Sequence, residues 1–312
     1  MRPLNYLKIV LLCVTLGVPI SGAAKSLSGA YLAARQADVE RDYRISEQYY
    51  TRALRQDPNN PALMEYLIMA HISLGQFAAA SPVAQRLDAQ QVDSQLVNMM
   101  QIATGAAQGQ YDDILLRIDQ GKGIGALIDS LLVAWAITGQ GKMSDALAAF
   151  DSVAEKQGVE AFARYHKALA LAHAGDFESA AEIFEQTVDA GIRLTRRGVI
   201  AQIQVLSQLD LGDQAIAVLD RSFGASLDPE ISNLRQRLSA DETLDFSIVR
   251  TPREGLAEVF YSIANILSAD AEPDYTLFYT RIAEYLRPDH LDAVLFSASL
   301  LEQLEQFELA SQ

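Results

Sequence analysis

The sequence predicts an all-α chain built as a superhelix of stacked helix pairs. Three observations carry that expectation. Alanine, leucine and glutamine abound while only 8% of the residues are aromatic, which favours helix over sheet. Half the residues are hydrophobic and 21% are charged, enough apolar material for a large buried core. A turn signature also recurs: Gly75-Gln76-Phe77, Gly109-Gln110-Tyr111, Gly141-Lys142-Met143 and Gly175-Asp176-Phe177, with the glycines 34, 32 and 34 residues apart.

Taken in chain order, residues 1–24 differ from everything that follows. Arg2 and Lys8 give a positive start, Ile9 to Ile20 form an apolar run of twelve, and Ser21-Gly22-Ala23-Ala24 supplies small residues. This layout predicts a secretory signal peptide cleaved after Ala23 or Ala24, hence an exported protein, periplasmic or secreted. The run is too short to span a bilayer comfortably, although an uncleaved anchor is the alternative. The only cysteine, Cys13, falls inside it and follows Leu12 rather than the small residue that lipid attachment needs. A mature chain without thiols forms no disulfide or thiolate site, and suits a bacterial periplasm. The net charge is −15, about −17 once Arg2 and Lys8 are removed, so nucleic acid is not an expected partner.

The repeat reaches beyond the four glycines. Asp42-Tyr43 continues the series backwards by 34 residues, and Gln306-Phe307 returns near the end. Three residues after each large turn residue stands a usually small one: Ser46, Ala80, Ile114, Ala146 and Ala180. Aromatics follow one helical turn later in Ser46/Tyr50, Ala146/Phe150 and Ala180/Phe184, and Pro58 and Pro288 close two units. The pattern resembles the tetratricopeptide-repeat family, whose 34-residue unit pairs two helices and carries an A-x3-F motif in the second. Close crossing needs a small side chain on one helix, and the aromatic fills the gap beside it. No pair buries its apolar face alone, so neighbours stack. Units are expected near Leu27, Pro61, Gln95, Leu127, Ala161, Arg196, Ala257 and Leu291. The second lacks its aromatic (Ala84), the third has Ile114 where a small residue is expected, and the family's early tryptophan-leucine-glycine pattern is largely missing. An ordinary helical bundle is the competing architecture.

The predicted organisation is a signal peptide over 1–24, an array of about six helix pairs over 27–229, an insert or linker over 230–256, and further units over 257–312, the last incomplete. Within the insert, Pro229 to Ala240 reads as a short helix and Leu244 to Val249 alternates as an extended segment, either a linker or a strip docking into a groove. Thr251-Pro252 starts the next helix. The break in the last unit suggests the N-terminal part of a longer protein, or completion by a partner or by self-association.

No chemistry is expected. His166 and His173 are seven residues apart on one helix, two turns rather than the single turn of helical metal pairs, and no ligand set flanks them. Gly121-Lys122-Gly123-Ile124-Gly125 lacks the strand and the Lys-Ser or Lys-Thr ending of a phosphate cradle, so it reads as a turn. No nucleophile, base and oxyanion donor assemble. Catalytic residues, cofactor and metal are all expected to be none, with no small-molecule substrate evident and no transmembrane segment after signal cleavage.

Binding is the remaining expectation. The family resemblance implies that first helices line a concave face, which there would present Leu96, Met99, Ile128, Leu131, Trp135, Phe162, Tyr165 and Leu169. This stripe is either a groove for a protein or peptide partner or a surface covered by neighbouring helices or the 244–249 segment. More polar candidates lie outward: Arg35, Arg197, Gln204, Asn265 and Ser299. The lysine and asparagine set of carboxylate-clamp repeats is not assembled. The expected function is an interaction scaffold of the bacterial cell envelope. The alternative is an architectural or regulatory N-terminal half whose working domain lies beyond residue 312.

Overall fold

A computed structural model describes residues 27–156, 158–224 and 228–312, so the expected signal peptide and Cys13 lie outside the described residues. Among those described, every regular element is a helix. Six pairs come first: α1 (Leu27–Val39) with α2 (Tyr43–Leu54), α3 (Pro61–Ser73) with α4 (Phe77–Ala89), α5 (Gln95–Gln108) with α6 (Tyr111–Asp119), α7 (Ala126–Gly139) with α8 (Met143–Ala154), α9 (Glu160–His173) with α10 (Phe177–Asp189), and α11 (Arg196–Gln208) with α12 (Gly212–Phe223). Then follow α13 (Pro229–Ser239), α14 (Pro252–Leu267), α15 (Pro273–Leu286), α16 (Leu291–Gln303) and the single turn α17 (Phe307–Ala310).

Local chemistry explains the boundaries. Asp42, Asn60, Ser94, Asp176, Thr195, Asp228 and Thr251 each accept a backbone N–H of the first turn that would otherwise lack a partner. Gly75, Gly109, Gly141 and Gly175 sit between the paired helices at φ of +69°, +70°, +76° and +85°. Arg41, Asp210 and Glu305 take the same left-handed conformation in three turns that have no glycine there. The small–aromatic pairs pack as the spacing predicts: Ser46 with Tyr50, Ala146 with Phe150 and Ala180 with Phe184 are all buried.

Each second helix packs on the first helix of the next pair, and first helices also touch one another, as α3 does α5, α7 does α9 and α9 does α11. First helices therefore line the inner face of a curved stack. The chain does not simply lengthen that stack after α13. Residues 240–251 run without regular structure, held on α11 by a reciprocal pair between Gln204 and Ser247 and by Ser207 and Gln208 at Leu244. The chain then turns back. Helix α14 lies across α5, α7 and α9, and α15 lies across α3 and α5. The expected start of this unit near Ala257 thus falls inside α14, which begins at Pro252 directly after its Thr251 cap.

Candidate functional site

The inner face is occupied by the chain itself. Of the stripe expected either to form a partner groove or to be covered by the chain itself, Leu131, Trp135 and Leu169 have no exposure, Leu96, Met99 and Ile128 are buried, and Phe162 and Tyr165 are half-buried. Leu256, Val259, Phe260 and Ile263 of α14 join most of these residues in one continuous core. Apart from half-buried Phe162 and Tyr165, these residues are therefore closed to a partner in this arrangement. The occupant is α14, whereas the extended segment 244–249 covers α11 farther along. The physical reason is plain: an apolar stripe this large is hidden by whatever helix the chain can bring to it.

Two contacts set where α14 sits. At Gly255 the helix comes so close to the Trp135 ring that an added Cβ would stand 2.2 Å from a ring carbon. Three residues later Glu258, 1% exposed, enters a polar cluster. Arg197 of α11 donates to it from Nε at 3.0 Å and from Nη2 at 2.7 Å, Tyr165 of α9 donates its hydroxyl at 2.9 Å, and His290 lies at 3.2 Å. His290 accepts the Ala293 N–H on Nδ1, so its proton is on Nε2, aimed at Glu258. Arg197 reaches on to Asp292 at 2.6 Å and lies over the Tyr261 ring. Burial by itself would raise the Glu258 carboxyl, but Arg197 and His290 outweigh it and hold the group well below the usual carboxylate range. Burial and the Glu258 charge push the Tyr165 hydroxyl well up.

Beside this cluster, Trp135 donates its indole N–H to His166 Nδ1 at 3.0 Å. His166 is fully buried, which lowers its pKa to about 4. The large residues of the repeat turns hold the returning chain as well: Tyr43 bonds Asp274, Phe77 stacks on Tyr285 at 4.3 Å between centroids, and Phe177 meets Phe246 edge-on. A recess of about 340 Å³ persists where α1, α3 and α15 meet, lined by Arg35, Tyr66, Met69 and Phe278 among others.

Of the polar candidates, Arg35 pairs with Asp38 over the Tyr66 ring, Gln204 holds the 244–249 segment, and Asn265 bonds its own helix at Tyr261. Ser299 is exposed, and only Arg197 joins the polar cluster. Sequence reasoning missed Gly255, Glu258 and His290. A signal for the first two existed: a glycine and an acid three apart in the otherwise apolar run Gly255-Leu256-Ala257-Glu258-Val259-Phe260. Among the described residues no three His, Cys, Asp or Glu side chains converge as a metal set would, and no helix is long and apolar enough to cross a membrane.

Comparison with family models agrees with the repeat in two stretches of the chain. Two models described as tetratricopeptide repeat match the sequence, one over residues 40–101 and the other over residues 138–193. A search of the curated proteins found no match. Among solved structures, the TPR domain of P58(IPK) matches at 13% identity over 91% of this chain and 90% of that one, with a TM-score of 0.26.

Proposed function

The chain is a tetratricopeptide-repeat protein, and from that premise we propose that it is a protein-interaction scaffold of a bacterial cell envelope, gripping a helix or peptide across its concave face. One observation carries the reading: α14 lies across α5, α7 and α9, so the inner surface already holds a helix by apolar packing and a buried ion pair. Export to the envelope is supported by the basic start, apolar run and small-residue end of residues 1–24. No part of this role requires chemistry at the site.

Photo-crosslinking in living cells tests the proposal, with the crosslinker placed at Met69 beside the recess and at exposed Leu32 of α1. Discrete adducts with other proteins in the envelope fraction are expected. Adducts confined to the cytosol, or none from either position, would defeat it.

A second reading, in which the array is the architectural part of a longer polypeptide, is favoured by a single feature. Leu291, Val294 and Leu295 expose one face of α16, and Phe307 of α17 is 65% exposed, which suits a stacked neighbour.

A further inference from the structure

The groove reads its occupant at two points that fall on one face of α14. Gly255 permits contact with the Trp135 ring that any side chain would block. Glu258, three residues on, meets Arg197 and Tyr165, both of which belong to the array. Without a helix in place, Arg197 would lose its buried carboxylate, and Leu131, Trp135 and Leu169 would face water. Both losses are costly, so the groove is stable only when a helix of this pattern fills it.

Helix α14 is nevertheless an imperfect occupant. His166 accepts the Trp135 indole on Nδ1, so its own proton is on Nε2, and that nitrogen is buried with no hydrogen-bond partner. Orphaned buried donors are rare, and this one adjoins the ring on which α14 rests. The join between α14 and the array also rests partly on ions. Buried ionic groups add less to net stability than well-packed apolar ones and can instead specify register.

Resting on the scaffold reading, we infer that the groove is a helix receptor kept filled in cis by α14. Its partner is an amphipathic helix of another protein that carries a glycine three residues before a glutamate and an acceptor for His166 Nε2, and that enters as α14 leaves.

The test uses the whole chain and a synthetic peptide of residues 252–267 tagged with a fluorescence quencher. Trp135, the single tryptophan, is the reporter. Saturable loss of its emission is expected, with an apparent affinity about tenfold tighter in Glu258→Gln, whose own α14 is held less firmly. Peptides carrying Gly255→Leu or Glu258→Gln should leave the emission unchanged. Should the chain variant fail to fold, amide exchange on the unaltered protein decides: α14 must exchange at least about tenfold faster than α7. Unchanged emission at every peptide concentration, or α14 as protected as α7, overturns the inference. So does an emission loss that tracks dimerisation, since a second copy would then be the occupant. Crosslinks from Met69 or Leu32 would survive either result, so the scaffold reading stands or falls separately.

Discussion

At the scale of single residues, the decisive group is Glu258. A carboxylate this deeply buried persists only because Arg197, Tyr165 and His290 surround it. Replacing Arg197 with Met is expected to cost about 3–5 kcal/mol in denaturant unfolding, because an unpaired charge is left inside. Adding Glu258→Leu in the same chain should recover only part of that loss, since the buried charge is gone but the Tyr165 hydroxyl and the His290 N–H are left without an acceptor. His166 is one source of the pH response, beside His173, whose burial also lowers its pKa. The folded pKa of His166, about 4, lies below its ordinary value of 6.5, so the unfolded chain takes up the proton first as pH falls. Stability present above about pH 6.5 is then lost progressively toward pH 4, on the order of 3 kcal/mol. Asparagine at position 166 places an amide oxygen where Nδ1 stands, able to accept the Trp135 N–H, and cannot titrate. Unfolding curves at several pH values should therefore lose this part of the slope in His166→Asn. None of these partnerships was legible beforehand, because Arg197 and Glu258 lie 61 residues apart on unrelated helices.

At the scale of elements, the repeat was legible because its causes are local. A left-handed turn residue, a cap and a small–aromatic pair recur with each helix pair, and each needs only its near neighbours. Gly175, at φ +85°, has nothing within 4 Å of an added Cβ. Gly175→Ala therefore tests backbone strain alone, and about 1–2 kcal/mol of destabilisation is expected in thermal or denaturant melts. The irregular third unit has an equally local explanation. Ile114 is too large for the small position, and the facing Gly105 supplies the room, with an Ile114 carbon only 3.3 Å from where its Cβ would be. The small residue has moved to the partner helix. A search for small residues on second helices alone registers this as a departure.

At the scale of the whole molecule, the array and the residues after it form one closed body rather than an open stack. Phe77 against Tyr285 and Tyr43 against Asp274 tie the first two pairs to α15, while the polar cluster ties α9 and α11 to α14 and α16. A chain ended at Thr251 would uncover the inner face. Its Trp135 emission is expected to move to longer wavelength, and the protein should bind a hydrophobic dye that the whole chain excludes. Unaltered emission would mean that α14 is not what covers the tryptophan.

Sequence alone determined the helical class, the period, the turn positions and the first helix of nearly every pair. All of these follow from contacts within about thirty-four residues, which repetition makes visible. It also identified the apolar stripe from Leu96 to Leu169, since helical spacing reveals which side chains share a face. What covers that stripe was decided only by tertiary structure. Helical periodicity reports that a face must be hidden and not by what, and here the answer depends on a chain reversal at residues 240–251 and on a glycine fitting one tryptophan ring.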